Sequence, residues 1–87
     1  MRTATIDANG QSFFVRSTGD EAAPLVLFLH GFPEYGGAWE AILPRFADRF
    51  HAVAPDQRGY GRSSKPAGVD SYRVQHLAKD MLTLADK

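Results

Sequence analysis

Leu25-Val26-Leu27-Phe28-Leu29-His30-Gly31-Phe32-Pro33 is the stretch whose reading decides the fold. An unbroken apolar run suits a strand covered on both faces, since a half-solvated strand would alternate apolar with polar side chains. The run is therefore expected to be the central strand of a sheet. It empties into His30-Gly31-Phe32-Pro33, where glycine permits a sharp bend and proline fixes the following φ. Ligand sites of open α/β sheets lie at such carboxyl ends of strands. The turn either simply ends the strand or presents a backbone N–H, that of Phe32, to a developing oxyanion.

A second turn of the same kind follows Val53-Ala54-Pro55, where Asp56-Gln57-Arg58-Gly59-Tyr60-Gly61-Arg62-Ser63 leaves a short strand, His51 to Pro55, through glycines. Two loops are thus expected at one sheet edge. Asp56 and Arg58 offer a general base and an anion clamp, or a charge pair that organises the loop, and the second use is the commoner one. Gly59, Gly61 and Ser63 read as loop scaffold. Phe32, Glu34, Tyr35 and Trp39 are candidates to line an apolar pocket at the loop mouth, although aromatic residues at helix starts are more often core. His30 reads as a hydrogen-bonded structural histidine, and Arg62, Lys65 and Arg73 as solvated charges.

Outward from these loops, residues Thr3 to Ala8 and Ser12 to Ser17 flank Asn9-Gly10, the dipeptide of a tight hairpin. Trp39, Ile42, Leu43, Phe46 and Phe50 recur at helical spacing, but Pro44 cannot donate its N–H, so a short turn and then a helix from near Pro44 is expected. The segment Ser64 to Asp70 is loop. From Arg73 a helix follows, with Val74, Leu77, Ala78, Met81, Leu82 and Ala85 as its apolar stripe. The order implies an α/β fold: an antiparallel hairpin followed by parallel strands with flanking helices. The sheet is expected to be incomplete, because an apolar strand left at an edge would template aggregation.

Composition narrows the function. At 87 residues the chain is one domain at most, residues 1–87, and ten basic against ten acidic residues supply no field for nucleic acid or an anionic membrane. No cysteine is present, and His30, His51 and His76 carry no zinc-ligand spacing, so no metal is expected. Gly59-x-Gly61 meets Ser64 where a dinucleotide fingerprint needs glycine, and Gly37 stands where a phosphate loop needs lysine, so no cofactor is expected either. No apolar run approaches the ~20 residues of a membrane helix, and with no signal peptide a cytoplasmic location is the default.

Taken together, the strand, His30-Gly31-Phe32-Pro33-Glu34, Trp39, Asp56-Gln57-Arg58-Gly59-Tyr60-Gly61-Arg62-Ser63-Ser64-Lys65-Pro66 and the helix after Tyr72 resemble the amino-terminal third of an α/β-hydrolase. Within that superfamily the resemblance is greatest to the epoxide hydrolase and dehalogenase branch. It implies that the Phe32 backbone N–H is one oxyanion-hole donor, with His30, Gly31 and Pro33 shaping the turn. It also implies a nucleophile elbow, an acid, a catalytic histidine and a helical cap, none of them within residues 1–87. An elbow aspartate would mean an epoxide or carbon–halogen substrate, and an elbow serine an esterase, lactonase or perhydrolase. Phe32 stands where haloalkane dehalogenases commonly carry asparagine, which ranks epoxide hydrolase first. The expectation is a fragment that is inactive alone, needing the carboxyl-terminal part of the same hydrolase as a second chain or missing segment and acting on a small molecule. A non-catalytic complementing or binding fragment is the alternative of another class.

Overall fold

The computed structural model describes residues 1–30 and 36–86. Gly31, Phe32, Pro33, Glu34 and Tyr35 lie outside the described residues, and so does Lys87. Strands β1 (Arg2–Ala8) and β2 (Gln11–Thr18) form the expected hairpin, turned at Asn9 and Gly10, whose φ angles of 51° and 75° suit the two central positions of a tight hairpin turn. Strands β3 (Leu25–Leu27) and β4 (His51–Pro55) follow, and helix α1 (Val74–Ala85) comes last. The described residues build one mixed sheet of order β1-β2-β4-β3, antiparallel except where β3 pairs with β4 in parallel.

Strand alternation sorts the core onto two faces. Phe13, Val15 and Val53 point to one side, where they meet Ala8 and Leu84, with Ile6, Leu27 and Met81 packed around them. Ala52 and Ala54 point to the other, against Leu43, Phe28, Trp39 and Phe46. The first layer is the helix side. The second is closed by two 3₁₀ turns, Gly36–Trp39 and Leu43–Phe46.

Three local expectations are corrected. The apolar strand is not central among the described strands: β3 is three residues long at the sheet edge, with Leu25 39% and Leu29 45% exposed. Its continuous apolar sequence serves both faces of the sheet: Leu27 packs on the helix-side core and Phe28 on the opposite layer. No α-helix starts near Pro44, where a 3₁₀ turn forms instead. The i→i+3 bonds from Arg45 to Ile42 and from Ala47 to Pro44 make a single turn, because proline supplies no donor and its ring crowds the preceding turn.

The third correction concerns the phase of α1. Its inward side is Leu77, Asp80, Met81 and Leu84, while Val74 and Leu82 are 78% and 71% exposed. The expected stripe of Val74, Leu77, Ala78, Met81, Leu82 and Ala85 leaves out two buried residues, Leu84 and the fully buried Asp80. A buried carboxylate needs a partner, and that partner lies in the second loop.

Candidate functional site at the ends of β3 and β4

The parallel pairing of β3 with β4 delivers both following loops to the same edge of the sheet. Residues 51, 53, 55 and 57 of the β4 chain face β3. His51 donates its N–H to the Pro24 carbonyl at 2.9 Å, and the Val53 carbonyl accepts the N–H of Phe28 at 2.8 Å. Pro55 has no N–H, so the ladder lacks a donor at the next β3-facing position. Gln57 closes the gap. Its backbone N–H donates to His30 Nε2 at 3.1 Å, and its side-chain amide donates to the His30 carbonyl at 2.8 Å. His30 is buried, with the Tyr60 ring edge-on at 4.8 Å.

The second loop is held on its other side by β2. Asp56 donates its N–H to the Phe14 carbonyl at 2.8 Å, and Ser64 donates to that of Ser12 at 2.8 Å. The hydroxyls of Ser63 and Ser64 accept the N–H groups of Phe14 and Ser12 at 2.9 and 2.8 Å, and the Ser63 hydroxyl donates to the Asp56 carbonyl. Side-chain oxygens here do the work of a missing strand. The loop can run this close because Gly61, at φ 52°, passes over Asp56: a Cβ at Gly61 would stand 2.2 Å from Asp56 Oδ2.

Asp56 is fully buried. Arg16 Nη1 donates to its Oδ1 at 2.8 Å and the Arg62 N–H to its Oδ2 at 3.0 Å. Arg16 Nε also donates to Glu40 at 2.9 Å, which links the loop to the chain just past the first 3₁₀ turn. Arg58 turns the opposite way. Its Nε and Nη2 meet both oxygens of Asp80 at 2.8 and 2.7 Å, and its Nη1 donates to the Ser71 carbonyl at 2.8 Å. Asn9 adds a donor to Asp80 Oδ1 at 2.8 Å.

Asp56 and Arg58 therefore do not form the charge pair expected of the loop. The chain leaves the extended conformation between them, with Arg58 already in a turn, and each takes a distant partner, Arg16 and Asp80 respectively. Both carboxylate oxygens of Asp56 are held by donors, which fits a fixed anchor better than a base free to take a proton. Arg62 is not simply solvated: its guanidinium carbon lies 4.8 Å from the Phe14 ring centroid. Lys65 donates to the Gly61 carbonyl at 2.5 Å and Arg73 to Asp70 at 2.8 Å.

Trp39 packs on Phe28 at 5.2 Å between centroids, beside Phe46 and Leu43, and its indole N–H has no partner among the described residues. Trp39 is thus half-buried against the second core layer. A depression of about 500 Å³ exists elsewhere, on the helix side, lined among others by Ile6, Val15, Leu25, Leu27 and Leu84. It reaches His51 at the start of β4 and so lies toward the opposite end of the strands from the two loops. Among the described residues no three His, Asp or Glu side chains gather as metal ligands, and no helix is long and apolar enough to cross a membrane.

Sequence reasoning missed Arg16, Gln57 and Asp80. Only Asp80 carried a signal, an acidic residue spaced i+3 from Leu77 and i−4 from Leu84 on the inward face.

A hairpin and a parallel β3–β4 pair whose strands end at one edge of the sheet are an α/β-hydrolase arrangement, and the family model described as alpha/beta hydrolase fold matches residues 24–87. The chain belongs to that family. Within it, the chain is 42% identical over 82 residues to epoxide hydrolase A of Mycobacterium tuberculosis, covering 93% of this chain and 26% of the relative. The crystal structure of epoxide hydrolase A from Mycobacterium thermoresistibile superposes with a TM-score of 0.94 at 36% identity, over 98% of this chain and 27% of that one. An epoxide hydrolase from Vigna radiata gives a TM-score of 0.91 at 38% identity, over 98% and 28%. The chain thus spans about a quarter of the length of these relatives.

Proposed function

We propose that residues 1–87 supply one wall of an epoxide-hydrolase-like active site. The juxtaposed ends of β3 and β4, superposable on solved epoxide hydrolases, carry this reading. The turn after His30 contributes the Phe32 backbone N–H to the oxyanion hole, with Gly31 and Pro33 shaping it. Phe32, Glu34 and Tyr35 form part of the pocket wall. Asp56, Arg58, Gly59, Gly61 and Ser63 hold the second loop as scaffold.

Nucleophile, acid and base come from a carboxyl-terminal portion, and the substrate is a small epoxide. An elbow aspartate there would open the epoxide by forming an ester, whose hydrolysis passes through an oxyanion that backbone donors stabilise. The outer side of β3, without a neighbour among the described residues, and the exposed Val74 and Leu82 fit a chain built to be covered by that portion. Residues 1–87 alone turn over no substrate.

Two measurements test this. Intact mass and sequencing of any polypeptide continuous or copurifying with these residues should find Gly-x-Asp-x-Gly. Gly-x-Ser-x-Gly would move the reading to an esterase or perhydrolase, and a partner without an elbow to a binding role. A hybrid enzyme, with residues 1–87 replacing the matched segment of the M. thermoresistibile epoxide hydrolase, should hydrolyse styrene oxide, whereas the isolated chain should not. A folded but inactive hybrid would count against the oxyanion role, and turnover by the isolated chain would overturn the division of labour.

A further inference from the structure

Gln57 touches His30 twice, through groups that do different things. Its backbone N–H ends on the imidazole at Nε2, and its side-chain amide ends on the His30 backbone carbonyl. A neutral imidazole that accepts at Nε2 carries its proton on Nδ1, so the first bond selects one tautomer. The second bond acts on the main chain. Because a peptide group is planar, anchoring the His30 carbonyl sets the plane from which the chain leaves β3, immediately before a glycine, the residue least able to hold a direction unaided.

Pro55 makes this anchoring necessary. The ladder registers Leu27 with Val53, but at the one β3-facing position between Val53 and Gln57 proline withholds a donor from the chain that runs on to His30. Gln57 restores it one step further on, and it is itself well placed to do so. Asp56, the preceding residue, is fixed by Arg16, by the Arg62 N–H and by Phe14 of β2. The Tyr60 ring at 4.8 Å closes the side of His30, and the Tyr60 N–H returns to the Gln57 carbonyl at 2.9 Å.

From this geometry we infer that Gln57 is a positioning residue for His30: it ties the His30 carbonyl to the β4 loop and sets the His30 tautomer. The inference deepens the functional reading above and rests on it for its catalytic consequence. The clamp itself does not depend on which nucleophile the complete site uses.

The tests separate the two. In ¹⁵N-resolved imidazole spectra of residues 1–87 with His30 neutral, Nε2 should be the unprotonated nitrogen, and the Gln57 backbone amide should exchange at least about tenfold more slowly than an unstructured amide. An Nε2–H tautomer, or an averaged one, would overturn the clamp. In the hybrid enzyme, Gln57→Met keeps the backbone bond and the side-chain length but removes the amide donor. It should leave the tautomer unchanged and lower kcat roughly five- to tenfold at constant KM. Gln57→Lys, which restores an N–H donor at similar reach, should recover much of that loss. A lower melting temperature with kcat unchanged would reduce Gln57 to a structural residue. Should the unsubstituted hybrid fail to hydrolyse epoxide, the functional reading falls, and the tautomer measurement still decides the clamp.

Discussion

The two sides of the β4 loop are built differently from the outer side of β3. Around residues 56–64, charge and backbone are tied off: Asp56 to Arg16, Arg58 to Asp80, Ser63 and Ser64 to the main chain of β2. At β3 and along the outer face of α1, Leu25, Leu29, Val74 and Leu82 remain exposed. Polar groups must find partners locally because an unpaired buried charge is costly, whereas an exposed leucine costs little by itself. The loop is therefore finished within these residues, and the apolar edge is the part that other surfaces would complete.

The comparison breaks most easily at Asp80. Asp80→Ala leaves the Arg58 guanidinium buried without its bidentate partner, and the loss should be about 3–5 kcal/mol, comparable with the whole stability of a small domain. Urea or thermal unfolding followed by circular dichroism would show it, and a loss below about 1 kcal/mol would mean that the loop is not locked through Arg58. Gly61→Ala comes next. It combines a positive φ with a Cβ driven onto Asp56, for an expected cost of about 2–3 kcal/mol. A neutral result would show that the loop can move off the carboxylate.

The smallest effect sharpens the contrast. Leu82→Gln, on the exposed side of α1, should change the stability of residues 1–87 by no more than about 0.5 kcal/mol. In the hybrid enzyme, where a carboxyl-terminal portion is present, the same substitution should cost about 1 kcal/mol or more if that face is covered there. Equal effects in the two proteins would mean that the face is solvated in both.

Much of the frame was legible in the sequence, for reasons that are local. Asn9-Gly10 specifies a hairpin through its backbone preferences, and the period of Val74 to Ala85 specifies a helix. His30-Gly31-Phe32-Pro33 and the glycine loop after Pro55 marked the ends of two strands. Where two local signals competed, the reading slipped: Trp39 to Phe50 has helical spacing, but Pro44 and the approach to β2 leave only single turns. The phase of α1 slipped for another reason, since hydrophobicity alone cannot anticipate a carboxylate that is buried because a guanidinium waits for it.

Partners were the part that required the fold. Arg58 finds Asp80 22 residues away, Gln57 finds His30 across 27, and Asp56 finds Arg16 across 40. Spacing along a chain encodes which residues share a helix face or flank a turn, because backbone geometry repeats over a few residues. It carries no record of which side chains meet once strands from distant segments lie side by side. Hairpin, strands, helix and glycine turns are thus written in neighbouring residues. The crossed ion pairs and the Gln57–His30 clamp exist only because β4 is inserted between β2 and β3.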